Sequence, residues 1–490
     1  MRSLAVVLVT AMVAVGCATN PVSGKPELVL VSTEREKQLG REEAQRVEQE
    51  MGLLPDSALT ADVEAVGRRL AAHSPRRDVD YRFRVVDSPE PNAFALPGGY
   101  VYVTRGLLII TNSEDELATV MGHEIGHVAA RHSVQQISRA APLAVVTGLG
   151  AAVTGIVSPA LGRAVAGAGG AASQFVLAPF NRDQEREADR VGQKLAAEAG
   201  WNPAALSAFL RTMGREEELE RGGPRRAGFL DTHPSTPERV AATAEYAREL
   251  ARAPGAPITP DRSAYLRRLD GLVVGPRAAN GVFQGQQFLH PDLGFTVRFP
   301  DRWPTQNDAE QVAAVAPDQT ALVFVELVGE GDDPLLGARA LEKATKAPVV
   351  RNTHALTVNG LPAARTQLRG RANEGEVVVH FAWIAYGGKV YQLTGVTPAD
   401  RSGAFQPVFD GVMQSFTPLR AEERATIREV RLRLVEARAG ETVSALAARA
   451  GTTWSAAMVA VANGLAPGAR LAAGQLVKVA VAEAYLPARR

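Results

Sequence analysis

The chain has 490 residues, which is enough for two to four domains with buried cores. Its 54 Lys and Arg residues almost balance its 53 Asp and Glu residues, so the formal net charge is +1 at pH 7. This balance offers no electrostatic basis for binding nucleic acid, and we expect no nucleic-acid partner.

The first segment predicts export and a lipid anchor. Arg2 precedes an apolar stretch from Leu4 to Val15, and Cys17 follows after one glycine. This order resembles a bacterial lipoprotein signal, in which the cysteine becomes the acylated first residue after cleavage. Residues 1–17 are therefore predicted to be a lipoprotein signal peptide, with the mature protein held by lipid on Cys17 at the periplasmic face of the outer membrane. Asn20–Gly24 is predicted to be a flexible tether.

A strand and a helix are predicted next. Residues 100–104 alternate as a β-strand does and follow the turn signal at 97–99. Ser113 and Glu116 have the spacing of a capping box. Apolar residues then recur at helical spacing, at Leu117, Val120, Met121, Ile125 and Val128.

The predicted helix carries the motif H-E-I-G-H at 123–127. His123 and His127 are four residues apart, so both imidazoles lie on one helical face and can bind one Zn²⁺. Glu124 between them can reach a metal-bound water. Gly122 and Gly126 weaken the helix, and we expect them to allow another backbone or a substrate to approach closely.

A catalytic zinc needs a third protein ligand, and the helix-like run that starts near residue 181 offers candidates. Glu185 and Asp189 are four residues apart and share a face. We expect Glu185 to take the metal and Asp189 to accept the second ring N–H of a ligand histidine. Glu187 lies on another face and is a weaker candidate. We expect the other histidines, including His132, to have no part in the site.

Four separated motifs together resemble the HtpX- and BepA-type zinc metalloproteases, the group that also includes the CAAX prenyl protease. The resemblance covers roughly residues 18 to 250 and depends on the motifs HEIGH at 123–127, EREAD at 185–189, NAFALPGG at 92–99 and THPSTPER at 232–239. It implies a mainly helical, gluzincin-like zincin domain with a small edge-strand sheet, at 18–253. Substrate would add to that sheet as a further strand.

The resemblance also implies roles for the motif residues in peptide-bond hydrolysis. His123, His127 and Glu185 would bind one zinc ion, Glu124 would be the base and Asp189 would orient a ligand. Arg239 is our choice for the donor that stabilises the oxyanion, because its charged planar fork suits that task. His233 has two open interpretations: it stabilises the oxyanion, or it occupies the fourth zinc position and keeps the enzyme latent.

The uncharged stretch 140–162 is long enough to span a bilayer, but it is rich in Ala, Gly and Thr and contains Pro142 and Pro159. We expect it to be a mobile helical hairpin that gates the active site rather than a membrane span.

Composition changes after Leu250. Residues 254–284 are predicted to be a linker, and 285–420 an α+β accessory domain that faintly resembles PsbP-like domains. Its predicted strands and helix are at 295–299, 321–328, 375–386, 389–396 and 405–413. Residues 430–482 resemble a LysM module, a strand-helix-helix-strand unit that binds glycans containing N-acetylglucosamine. The alternative is a LysM-like fold that has lost glycan binding or contacts the protease domain.

The fold class predicted overall is therefore multidomain α+β. The predicted function is a zinc-dependent endopeptidase for unfolded or misassembled envelope proteins, with peptidoglycan as a further partner of the LysM-like module. The alternative is a latent or non-hydrolytic envelope adaptor, in which the C-terminal modules carry the function. A membrane-embedded prenyl protease is disfavoured because the sequence lacks multiple clean spans.

Overall fold

The computed structural model describes residues 17–147, 179–221, 228–255, 258–307, 311–345, 348–372 and 375–487. The helices are α1 Thr33–Met51, α2 Ser57–Ala71, α3 Arg105–Ile110, α4 Glu114–Ala129, α5 His132–Thr147, α6 Arg182–Glu198, α7 Ala205–Glu220, α8 Phe229–Thr232, α9 Pro237–Glu249, α10 Arg262–Leu269, α11 Leu335–Thr345, α12 Ser402–Gln414, α13 Ala421–Thr426, α14 Val443–Ala450 and α15 Ala456–Ala462. The strands are β1 Cys17–Thr19, β2 Pro26–Leu28, β3 Arg82–Val86, β4 Ala93–Leu96, β5 Tyr100–Thr104, β6 Val282–Gln284, β7 Gln287–His290, β8 Phe295–Arg298, β9 Thr305–Asn307, β10 Gln311–Val315, β11 Leu322–Glu330, β12 His354–Val358, β13 Leu361–Ala372, β14 Gly375–Tyr386, β15 Lys389–Pro398, β16 Thr417–Pro418, β17 Arg428–Glu436 and β18 Leu476–Ala484.

The described residues divide into two compact units. The first combines the described parts of 1–150, 172–275 and 430–482, and the second those of 276–429 and 483–490. The first unit is mainly helical, while the second contains a seven-stranded and a four-stranded sheet. The predicted multidomain α+β class is confirmed.

A three-stranded sheet in the first unit has the order β3-β5-β4. Central strand β5 pairs in parallel with β3 and antiparallel with β4, from Ala93 opposite Val103 to Leu96 opposite Tyr100. The turn between β4 and β5 contains Gly98 and Gly99 with φ of 78° and 102°, a region in which glycine is favoured. The predicted strand at 100–104 is confirmed, and β4 is an edge strand among the described residues.

Helix α4 begins as its sequence indicates and ends in a sharp break. The Ser113 hydroxyl accepts from the Glu116 N–H at 3.2 Å, which caps the first turn. The Glu116 carboxylate, however, accepts from the Asn112 N–H at 2.7 Å, so the reciprocal half of the capping box is shifted by one residue. After Ala129 the chain turns through Arg131, whose φ of 59° is left-handed, and α5 starts at His132.

Helices α4 and α6 cross in close contact because glycines face each other at the crossing. A Cβ atom on Gly122 would lie 2.8 Å from the carbonyl oxygen of Gly192, and one on Gly192 would lie 2.5 Å from the backbone nitrogen of His123. Gly126 faces Ala188 in the same way, at 3.0 Å. The close backbone expected beside the histidines is therefore that of helix α6.

The C-terminal segment has the predicted order strand, helix, helix, strand, formed by β17, α14, α15 and β18. It belongs to the first unit rather than standing apart from it. The buried ammonium group of Lys478 donates to the carbonyl oxygens of 109–111, at the end of α3, over 2.7 to 3.2 Å. The residues of this segment that share the main core of the first unit are Leu432, Ala462 and Leu476.

The second unit contains the strands that its sequence predicted, with small differences at their ends. Strands β8, β11, β14 and β15 match the predicted ranges, and α12 contains the predicted helical residues. Gly387 and Gly388 form the two-residue turn of the β14–β15 hairpin with φ of 59° and 72°, as a primed turn requires.

Two further expectations concern connecting segments. The range 254–284, predicted to be a linker, differs in the structure: it contains α10, which buries Tyr265, Leu266 and Leu269 because they line one helical face. Residues 140–147 of the expected gating hairpin belong to α5, and those from 148 onward lie outside the described residues. In the part of the chain that the structure describes, no helix is long and apolar enough to cross a membrane.

Candidate metal centre

Helix α4 places the H-E-I-G-H side chains in the interior of the first unit. His123, Glu124 and His127 are at most 1% exposed. The two Nε2 atoms of the histidines lie 3.0 Å apart, as their spacing on one helical face predicts. The Phe180 ring stacks on His127 with 4.0 Å between centroids and covers one side of that imidazole.

Helix α6 adds two carboxylates from its first turns. A complete capping box between Asn181 and Gln184 begins the helix, so Glu185 lies at its N-terminal end. The Oε1 atom of Glu185 is 3.3 Å from Nε2 of His127, and its Oε2 atom is 3.7 Å from Nε2 of His123. Oδ1 of Asp189 is 2.9 Å from Nδ1 of His123, on the far side of that ring. The contacts of Glu185 with the two histidines and of Asp189 with His123 agree with what we expected from the sequence.

A third imidazole completes the cluster. His233 follows the short helix α8, and its Nδ1 atom lies 2.8 Å from Oε1 of Glu185 and 3.2 Å from Nε2 of His123. The ring is 1% exposed and stacks on Phe229 with 4.6 Å between centroids. Its Nε2 atom is 3.5 Å from Oε1 of Glu124. His233 therefore lies within the donor cluster and beside the candidate base.

These four donors fit a tetrahedral metal ion. The donor atoms of His123, His127, Glu185 and His233 all lie within 4.8 Å of one another. Ligands at zinc's usual bond lengths of about 2.0–2.2 Å would be about 3.3–3.6 Å apart in a tetrahedron, and the observed separations bracket those values. Imidazole and carboxylate together are also a usual zinc donor set.

Arg239 holds the carboxylates of this cluster. Its Nε and Nη2 atoms both donate to Asp189 at 2.7 Å, and its Nη1 atom is 2.6 Å from Oε2 of Glu185. Nη1 also donates to the carbonyl oxygen of His233 at 3.1 Å. The guanidinium of Arg239, the predicted oxyanion donor, is therefore engaged by side chains and carbonyls of the site, and its predicted role stays a prediction.

Burial and neighbouring charges set the protonation states of the cluster. Burial raises the pKa of Glu124 to about 7, against the lowering effects of His233, Arg239 and the backbone N–H of Ala95 in β4. Burial also opposes ionisation of Glu185, but the nearby imidazoles hold the pKa of that carboxyl well below its usual range. Burial lowers the pKa of His127 well below its usual value. An ionised carboxylate and a neutral imidazole are the forms that bind a metal.

His132 was missed by sequence reasoning. It is fully buried, with Nδ1 at 2.9 Å from Nδ1 of His127 and Nε2 at 3.0 Å from Oε2 of Glu187. Its hydrogen bond lowers the pKa of the Glu187 carboxyl. Counting five residues along a continuous helix points His132 away from His127, but the left-handed Arg131 breaks the helix and turns His132 back.

The geometry can be compared with known proteins. Residues 57–247 match peptidase family M48. Residues 57–247 therefore belong to this zinc metalloprotease family. The M48 segment contains every residue of the candidate centre, from His123 to Arg239.

The chain is also similar to named relatives of the family. It is 30% identical over 226 residues to the β-barrel assembly-enhancing protease of Escherichia coli (strain K12), over 46% of each chain. It is 32% identical over 238 residues to the mitochondrial metalloendopeptidase OMA1 of Schizosaccharomyces pombe, over 47% of this chain and 66% of that one. The chain thus spans about half the length of the bacterial relative.

Among solved structures, cyanobacterial PsbP from Synechocystis sp. aligns with a TM-score of 0.23 and 15% identity. The alignment covers 30% of this chain and 98% of that one. A likeness at this level assigns no fold.

Proposed function

We propose that this chain is a zinc-dependent endopeptidase that cleaves internal peptide bonds of unfolded or misassembled proteins of the cell envelope. The observation that carries the proposal is the buried set of His123, His127, Glu185 and His233, with Glu124 beside it. Membership of peptidase family M48 supports the same reaction.

His123, His127 and Glu185 would hold the ion. Bound zinc supplies a Lewis acid and lowers the pKa of a water ligand from about 15.7 toward about 7. Asp189 orients His123 through its Nδ1 atom, and Arg239 holds Asp189 and Glu185 in place. Arg239 is therefore proposed as a positioning residue.

Glu124 is proposed as the general base. Its carboxylate accepts a proton from the attacking water and then returns it to the leaving amine. A carboxyl whose pKa lies near neutrality can do both, and burial raises the pKa of Glu124 to about 7. Helix α4 packs against strand β4, so the base lies near that strand.

His233 is proposed to occupy the fourth position of the metal at rest. Its Nδ1 atom lies among the ligand atoms, at 2.8 Å from Glu185, and this favours the latent interpretation over an oxyanion role. The side chain would have to leave before substrate binds. This position is also the observation that favours the alternative of a latent, non-hydrolytic adaptor.

Strand β4 is the proposed binding place for substrate. It is an edge strand that packs against helix α4, so an extended peptide added along it would pass near the base. Main-chain pairing makes little demand on sequence, and unfolded polypeptides offer the extended backbone that it needs.

The location of the protein in the cell is also a proposal. We propose that the enzyme is held by lipid on Cys17 at the periplasmic face of the outer membrane, and the lipoprotein-like order of residues 1–17 supports this. The bacterial relative's name, β-barrel assembly-enhancing protease, fits substrates of that membrane. The segment 430–482 is proposed as a LysM-like module that binds peptidoglycan.

Cleavage of casein by the purified protein, with and without a chelator, tests the function. We expect wild type to cleave, chelation to abolish cleavage, and Glu124→Gln to lower kcat by about 100-fold or more. Glu42→Gln, an exposed change on α1, is the matched control and should behave as wild type. Equal cleavage by wild type and Glu124→Gln would overturn the proposal, while zinc binding without cleavage by either would favour the adaptor.

A further inference from the structure

The N-terminal segment reaches the candidate metal centre through a continuous chain of side chains. Asn20 is 3% exposed, and its side-chain amide donates to Oε2 of Glu187 at 3.2 Å. The next two contacts in this series join Oε2 of Glu187 to Nε2 of His132, at 3.0 Å, and Nδ1 of His132 to Nδ1 of His127, at 2.9 Å. Asn20 thus connects to His127 through two intervening residues. The flexible tether expected at Asn20–Gly24 is a fixed turn instead.

The turn is fixed by its own hydrogen bonds. The Oδ1 atom of Asn20 accepts from the backbone N–H groups of Val22, at 2.8 Å, and Ser23, at 3.2 Å. This leaves the amide nitrogen of Asn20 to face Glu187. Strands β1 and β2 flank the turn and pair with each other, from Cys17 opposite Leu28. The hairpin rests on α5, where the Ser138 hydroxyl accepts from the N–H of Leu30 at 2.9 Å.

The direction of these hydrogen bonds is set by the carboxylate of Glu187. An ionised Glu187 only accepts, so Nε2 of His132 must carry the hydrogen that points to it. Nδ1 of a neutral His132 is then an acceptor and takes the hydrogen from Nδ1 of His127. Nε2 of His127 is left with its lone pair, and this is the atom that lies 3.0 Å from Nε2 of His123. The opposite direction would place a hydrogen on the very atom that faces the other ligands.

We propose that Asn20, Glu187 and His132 are positioning residues that hold His127 in its metal-binding tautomer, so that the N-terminal hairpin contributes to metal retention. The inference depends on the proposed function, because it assigns a task to residues around the metal of that site. His123 is oriented by Asp189 directly, whereas His127 is oriented through a histidine and a carboxylate. The two ligand imidazoles therefore have separate supports, and one of these supports extends to the segment that follows Cys17.

Zinc affinity, measured by competition with a chelating dye, tests the proposal. Partners of this kind typically change metal affinity by about 10- to 100-fold. We expect His132→Phe and Glu187→Gln to weaken zinc binding within that range. Asn20→Asp keeps the acceptor of the turn but sets a second carboxylate against Glu187, so we expect about 10-fold weaker binding. Asp183→Asn, an exposed change in the first turn of α6, should leave affinity unchanged.

Nitrogen-15 shifts of His127 in the metal-free protein separate positioning from general destabilisation. Wild type should show the hydrogen on Nδ1, and His132→Phe should move it toward Nε2, whereas a merely structural role would not change the tautomer. Melting of the metal-free variants checks that they fold. Unchanged zinc affinity in His132→Phe and Asn20→Asp would overturn this inference alone if wild type still binds zinc and cleaves casein. A wild type that binds no zinc would instead overturn the proposed function.

Discussion

Alanine at Gly192 should separate helices α4 and α6 and so disturb the metal centre. The added Cβ would lie 2.5 Å from the backbone nitrogen of His123 and 2.8 Å from its Cα atom. An ordinary contact needs about 3.4 Å, so the helices would have to move apart by about 1 Å. These neighbours are backbone atoms of a buried helix, and no side chain can rotate away to make room.

Two magnitudes follow from that displacement. Overpacking of this kind typically costs about 1–3 kcal/mol of unfolding free energy. Glu185 is on α6, whereas His123 and His127 are on α4, so the same movement would separate the carboxylate from these imidazoles by about 1 Å. A misplacement of that size can cost about 100-fold in activity. Zinc affinity should fall together with stability.

Denaturant unfolding and zinc competition measure both effects on the same preparation. Gly214→Ala is the matched control, because Gly214 lies in helix α7 and a Cβ there would meet nothing within 4 Å. That change should stabilise the protein by up to about 1 kcal/mol and leave zinc affinity unchanged. If Gly192→Ala keeps wild-type stability and zinc affinity, the argument that glycine contact sets the site geometry is refuted.

Three further predictions follow from buried charges. Apparent zinc affinity should fall as pH decreases below about 7, since a protonated, neutral Glu124 no longer attracts the cation beside it. Glu124→Gln should show a shallower fall in a chelator titration, and equal slopes would contradict this. Lys478→Met should lower the unfolding free energy by about 1–3 kcal/mol, because the carbonyls of 109–111 lose their donor. Exposed Lys194→Met should change little in the same denaturant titration, and equal effects of the two changes would refute the role of Lys478 in holding the C-terminal segment to α3. Glu36→Ala should cost about 3 kcal/mol in unfolding experiments because it leaves the buried Arg76 and the partly buried Arg131 without their shared carboxylate. Exposed Glu42→Ala should cost less than about 1 kcal/mol, and a small loss in Glu36→Ala would contradict the assignment.

Local patterns predicted the elements that carry the site. The apolar spacing and the cap at Ser113 predicted helix α4, and the four-residue spacing of Glu185 and Asp189 correctly implied a shared face. The turn glycines predicted the β14–β15 hairpin, since few other residues adopt two successive positive φ angles.

Contacts between distant segments were harder to predict. His132 was expected to have no part in the site because helical counting assumes a continuous helix, and Arg131 breaks it. Asn20 was predicted to be part of a flexible tether, because the sequence does not indicate that Glu187 lies beside it in the fold. The local sequence does not distinguish Lys478 from other strand residues, because its burial depends on carbonyl groups more than 360 residues earlier in the chain. The two carboxylate partners of Arg239 could not be placed beside it from sequence either.

The central claim is that side chains from separate helices hold one zinc ion beside Glu124. Elemental analysis of purified wild type, Glu185→Ala and Asp183→Ala tests it most directly, since both changes remove a carboxylate from the first turn of α6. The account predicts one zinc ion per chain in wild type and in Asp183→Ala, and a strong loss in Glu185→Ala. Stoichiometric zinc in Glu185→Ala, or none in wild type, would contradict it.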